Sequence, residues 1–182
     1  MKIDPKRAAV SENFSQALPL WGSPEVWQEA NQTMNHLIHL YGPALERAKG
    51  FAHGILDQLM PIFSRLDDLC AVTCPWCPDP CCLVAKVWVD FKDLLFLHLT
   101  DQTIPPVQLT QNLDKRCYYI GPRGCTLPRV MRPWICTRYL CPSQLAGLRK
   151  KPGSAHEFFD QAFQAVNVRR NKMETEFIRI VS

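Results

Sequence analysis

The chain has 182 residues, 47% of them hydrophobic and 21% charged, which suits one globular domain with a real core and excludes a wholly disordered chain. A formal charge of +4 is too small to argue for nucleic acid as a partner. The longest apolar stretch, "CCLVAKVWVDFKDLLFLHL", carries Lys86, Asp90, Lys92 and Asp93, so it is no membrane span, and the N-terminus lacks the apolar run of a secretory signal.

Residues 1–20 show little periodicity and read as an arm. "SPEVWQEANQTMNHLIHLYG" then has Ser23 as an N-cap, Pro24 at the first helical position and Gly42 as the stop. Val26, Ala30, Met34, Leu37 and Tyr41 recur at helical spacing. A second helix is expected from Pro43 towards Leu69, kinked or broken near Pro61. After a proline-punctuated cysteine loop, "VAKVWV" alternates and is β-branched, which predicts a short strand. Asp90 is placed to cap a helix over "FKDLLFLHL", and residues 100–114 have loop composition. A second cysteine cluster spans 117–141. The last helix is expected to start near Ser154, with Phe158, Phe159, Ala162, Phe163, Val166, Met173 and Phe177 on its core face. The expected fold is mostly α: a small helical domain with two Pro-rich cysteine loops and a short β element, stabilised by metal. Its parts are an arm and helical segment over 1–69, a cysteine-cluster metal-binding region over 70–142, and a C-terminal helix within 143–182 that packs on it.

The composition predicts a cytoplasmic protein, where thiols stay reduced. Nine cysteines, an odd number, then read as metal-binding or catalytic rather than as a disulfide framework. Five of them fall within "CAVTCPWCPDPCC" at 70–82. Cys74-Pro-Trp-Cys77 has the C-x2-C spacing that aims two sulfurs at one ion, with a proline stiffening each turn. Cys81 and Cys82 follow directly. Neighbouring side chains diverge, so this pair suits two adjacent ions, or a single ligand and a bystander. The second cluster adds Cys117, Cys125, Cys136 and Cys141. Four thiolates close a tetrahedral site, so the eight can make two sites or one shared polynuclear site. Lys115, Arg116, Arg123, Arg129, Arg132 and Arg138 cover the second cluster without a single Asp or Glu, as offsets to thiolate charge. Cys70 reads either as a small buried residue or as a ligand, and His98 as a further candidate ligand. Trp76, Trp88, Trp134, Tyr118, Tyr119 and Tyr139 are expected in the core, although they could serve a protein partner. Asp67-Asp68 reads as a helix-end charge pair. Arg149-Lys150-Lys151 and Arg169-Arg170 read as solvated, with an acidic partner as the alternative.

The two clusters together resemble the zinc- or iron-chelating CxxCxxCC cysteine-cluster family (YkgJ-type). The matching parts are "CPWCPDPCC" at 74–82 and "CYYIGPRGCTLPRVMRPWICTRYLC" at 117–141, with Arg132-Pro133 ahead of Cys136. Three residues separate Cys77 from Cys81 where the family has two, and Cys70 is extra. The resemblance covers roughly the central 70 residues. It implies metal chelation by Cys74, Cys77, Cys81, Cys82, Cys117, Cys125 and Cys136, with Cys141 a looser match, and it implies no reaction. The expected function is therefore binding of zinc or iron by clustered thiolates. The alternative is an iron–sulfur enzyme, because "CAVTCPWC" reads C-x3-C-x2-C, the short pattern of radical S-adenosylmethionine enzymes. Relatives of the cysteine-cluster family resemble flagellin lysine methylases, which keeps methyl transfer or other redox chemistry open. Against the barrel enzyme, a helical segment precedes Cys70 and no glycine-rich cosubstrate segment follows. The expected partners are the metal ion and an unidentified protein.

Overall fold

Two long antiparallel helices frame the molecule. The computed structural model describes residues 21–77, 81–111, 116–121, 124–150 and 155–182; the expected arm over 1–20 lies outside them. Among the described residues there are seven α-helices and two two-residue strands, so the expected mostly helical class holds. No described helix is long and apolar enough to cross a membrane.

Helix α1 (Pro24–Leu40) starts as its sequence dictates. The Ser23 hydroxyl accepts from the Val26 N–H at 3.3 Å, and Pro24 occupies the position whose missing N–H costs nothing. It buries Trp27 and Met34, and the Trp27 indole donates to the Pro105 carbonyl at 2.9 Å. A 3₁₀ turn (Gly42–Leu45) leads into α2 (Glu46–Thr73). Its buried stripe, from Ala48 and Ala52 through Ile55, Leu59, Ile62 and Leu66 to Leu69, recurs every three or four residues. The expected break at Pro61 does not occur. Pro61 and Asp57 lie on the exposed side, where the carbonyl that loses its donor faces water. As a result α2 runs four residues past Leu69 and carries Cys70 in its last turn.

Helix α7 (Ala155–Val181) packs antiparallel on α2. Arg47 meets Glu176 at 3.8 Å, the Arg169 guanidinium lies over Gly54, and Arg65 stacks 3.7 Å above the Phe158 ring. Phe159, Val166, Met173 and Phe177 are buried, the phase expected from the sequence. Between the two runs α4 (Phe91–Leu99), with Leu94 and Leu95 fully buried. Its N-terminus is a reciprocal capping box. The Asp93 N–H donates to Asp90 Oδ1 at 2.8 Å, and the Asp90 N–H donates to Asp93 Oδ2 at 3.2 Å. Arg170 reaches this box from α7, 2.8 Å from Asp93 and 3.2 Å from Asp90. Arg170 is only 4% exposed, so its expected solvation is overturned: two carboxylates on a neighbouring helix hold it inside. Burial pushes the Asp93 carboxyl up to about 6, against the opposing pull of Arg170.

The "VAKVWV" segment is not a strand. Val84 ends a short helix α3 (Cys81–Val84), and residues 85–90 run without regular structure. The partner that a strand would need is replaced by side chains. The Val89 N–H donates to Gln108 Oε1 at 2.8 Å, Gln108 Nε2 donates to the Val89 carbonyl at 3.1 Å, and Thr110 Oγ1 accepts from Val87 at 3.4 Å. The β element lies instead in the second cluster. There β1 (Ile120–Gly121) pairs antiparallel with β2 (Gly124–Cys125), Ile120 opposite Cys125. Gly124 has φ 105, a value that a side chain would strain. A 3₁₀ turn (Arg129–Met131), α5 (Trp134–Arg138) and α6 (Pro142–Lys150) complete the order.

Candidate metal centre

The described cysteines come from six local settings. Cys70 ends α2. Cys74 opens a 3₁₀ turn (Cys74–Trp76), and the Cys77 N–H closes on the Cys74 carbonyl at 3.3 Å, so the C-x2-C motif is a single tight turn. Cys82 lies on α3, where its neighbour Cys81 is rotated about 100° away on the helix. The Cys81 side chain lies outside the described residues. Cys117 precedes the hairpin, Cys125 is in β2, Cys136 is in α5, and Cys141 sits just before α6.

These thiols fall into two neighbourhoods. Burial pushes the Cys136 thiol well above its ordinary range, and Cys125, Cys117, Cys82 and Asp93 push it further. Cys117 is raised in the same way, by burial first and then by Cys125 and Cys82, while a backbone hydrogen bond from Tyr119 pulls the other way. Cys82, Cys117, Cys125 and Cys136, carried by α3, the hairpin and α5, are thus near enough for charge on one to be felt by another. The second neighbourhood is at the end of α2. Cys74 is pushed up to about 11 by burial, then by Cys70, and more weakly by Cys82. Cys82 is the member common to both.

The surroundings explain how the loops are held. Gln108 ties the chain after α3 to the chain before Cys117. The Tyr119 hydroxyl donates to the Val107 carbonyl at 3.0 Å and accepts from the Val107 N–H at 3.3 Å, and the Tyr118 N–H donates to the Leu109 carbonyl at 2.7 Å. Asp93 Oδ1 accepts from the Trp134 N–H at 2.9 Å, which fixes the start of the helix that carries Cys136. Gln144 joins three parts of the site. Its Oε1 accepts from the Cys141 N–H at 3.1 Å, and its Nε2 donates to Cys70 Sγ and Thr73 Oγ1, each at 3.4 Å. Among the described residues of the second cluster, Arg129 is the arginine seen at a thiol. Its guanidinium bonds Asp67 at 2.6 Å and also reaches Cys70. Arg132 Nε instead donates to the Leu127 carbonyl at 2.9 Å, and Arg138 is exposed.

Other expected features lie elsewhere. His98 Nε2 is 3.2 Å from Asn31 Oδ1 on α1, and burial lowers its pKa. Trp76 (84% exposed), Tyr118 and Tyr139 are on the surface rather than in the core, and Cys74, in the same turn as Trp76, is exposed as well. Trp134 is packed edge-on against Phe163 as expected.

Gln144 and Asp93 were not singled out as site residues in the sequence, yet both left a signal there. Cys141-Pro-Ser-Gln144 places proline and a back-bonding glutamine as a capping box does. Asp93 stands three after a capping aspartate. As donors, clustered thiols suit a thiophilic ion in kind and number. Among the described residues, no three Cys, His, Asp or Glu side chains are gathered closely enough to hold one ion. Comparison with family models, curated proteins and solved structures found no match to this chain.

Proposed function

We propose that this protein binds a thiophilic metal, zinc or iron, through its two cysteine loops. The observation that carries the reading is that Cys82, Cys117, Cys125 and Cys136, from three separate segments, lie within electrostatic reach of one another, although not drawn together around one point. Burial holds the Cys117 and Cys136 thiols protonated, and a bound cation would displace those protons and offset the charge left on sulfur. Cys74, Cys77, Cys81 and Cys141 flank this group and supply the remaining donors. The resemblance of the motif order to that of the CxxCxxCC family supports the same reading. A closed all-thiolate zinc site is a structural staple and contributes on the order of 10 kcal/mol to folding.

A second reading, an iron–sulfur cluster, is favoured by the pairing of Cys70 with Cys74 within C-x3-C-x2-C. Anaerobic purification with elemental analysis and a visible spectrum separates the two. Stoichiometric zinc without absorbance near about 400 nm eliminates the cluster. Absence of both metals, with thiols oxidised in pairs, eliminates chelation. Cys136→Ser and Cys77→Ser are each expected to lower metal content; an unchanged content removes that residue from the ligand set.

A further inference from the structure

We propose that the groove between α2 and α7 is a docking site for an acidic amphipathic helix of a partner protein. The groove encloses about 850 Å³ and lies along Arg47–Gln58 of one helix and Gln161–Lys172 of the other. Each wall is about 16 Å long, three helical turns. Arg47, Arg169 and Lys172 line it, and no Asp or Glu does. Among the described residues, Arg169 and Lys172 have no carboxylate partner. Arg169 is seated over Gly54, in space that any side chain at that position would take, so the glycine is what lets the guanidinium lie in the groove. Between the cations are apolar surfaces, Phe51 and the half-exposed Val168. The side-chain amide oxygen of Gln58, also in the lining, is buried with no donor among the described residues.

This combination selects the occupant. A groove between two antiparallel helices is filled by a third helix, which buries Phe51 and Val168 under an apolar stripe and sets acidic flanks against Arg169 and Lys172, while Arg47 is already near Glu176 and over the Phe51 ring. A free phosphate would use one or two cations and leave most of the volume and the apolar wall unfilled. A second copy of the chain docked face to face would set these cations against their own equivalents. A nucleic acid backbone would gain nothing from the apolar stripe.

The test uses the full ¹⁵N-labelled chain and a synthetic helix-forming peptide of about 14 residues, with a leucine stripe flanked by glutamates. A control peptide carries lysine for glutamate. The glutamate peptide is expected to shift amides over 47–58 and 161–172 and to weaken as salt rises from about 50 to 300 mM. Arg169→Ala combined with Lys172→Ala should weaken it about tenfold or more. Should that variant lose its fold by circular dichroism, Gln161→Glu with Gln164→Glu leaves the cations in place and is expected to give the same loss. No binding up to about 1 mM, equal binding of the lysine peptide, or shifts elsewhere overturns the proposal. It is equally overturned if inorganic phosphate or duplex DNA saturates the same amides as well as the peptide, or if sedimentation shows a dimer that buries the groove. None of these readouts depends on the metal.

Discussion

Replacing Gln108 by Ala removes the side chain that stands in for a neighbouring strand. Gln108 is 1% exposed, and its amide satisfies three backbone groups: the Val89 N–H at 2.8 Å, the Val89 carbonyl at 3.1 Å and the Leu109 N–H at 3.0 Å. A net loss of about 1 kcal/mol per bond gives a floor near 3 kcal/mol. Leaving buried groups without partners raises the cost to about 3–5 kcal/mol. At about 2–4 °C per kcal/mol for a domain of this size, Tm falls by roughly 6–20 °C. Chemical and thermal denaturation read the total, and hydrogen exchange at Val89 and Leu109 reads the cause. Gln108→Glu keeps the oxygen that serves both N–H groups but buries a charge, so it is not expected to rescue fully. A loss below about 1 kcal/mol for the alanine variant, or unchanged protection at Val89, refutes the side-chain clasp. Because the clasp joins the chain after Cys82 to the chain before Cys117, the variant is also expected to retain less metal.

Asp93 sets a pH dependence. Its folded pKa of about 6 lies above the ordinary value of 3.8, so its stabilising term is complete below about pH 4 and lost as pH rises through 6. Two pH units correspond to about 3 kcal/mol. The stability difference between wild type and Asp93→Asn should move by that much in favour of the variant between pH 4 and 7, measured by denaturant titration; a flat difference contradicts it. Gln144→Ala loses the bonds to Cys141, Cys70 and Thr73, and a cost of about 1–2 kcal/mol is expected, with faster alkylation of Cys70. Trp27→Phe leaves the Pro105 carbonyl without its donor and should cost about 2 kcal/mol by thermal melting.

Where a local rule is sufficient, the fold could be read from sequence. Ser23-Pro24 starts α1, Asp90 caps α4, and the Phe159–Phe177 stripe orients α7, because caps and helical periodicity act over a single turn. "VAKVWV" misled because period-two alternation reports a half-buried extended chain, whatever supplies its hydrogen bonds. Here the supplier is Gln108, nineteen residues after Val89, and no local pattern encodes it. Of the two outcomes expected at Pro61, the break fails because tolerance of a helical proline depends on which side of the finished helix it faces. Helix α6 was hidden by its neighbours: a proline-led start after Cys141 reads as more of the cysteine loop. In the candidate site, spacing nominates the cysteines but says nothing of their grouping. The partition around Cys82 depends on how α3, the hairpin and α5 pack, and Arg170 was misjudged because its carboxylates lie about eighty residues away.

The pairing of α2 with α7 also imposes an order on synthesis. Helix α7 closes the core over α4 and holds the Asp93 carboxylate that positions α5, yet it is translated last among the described elements. About a hundred residues separate Cys82 from the end of α7, so at 5–20 residues per second the thiols emerge about 5–20 s before their enclosing helix exists. During that interval the nascent cysteine loops are open to whatever ion, chaperone or oxidant reaches them first. If the cysteines bind metal as proposed, what waits near the ribosome would matter to loading as much as the affinity of the finished site.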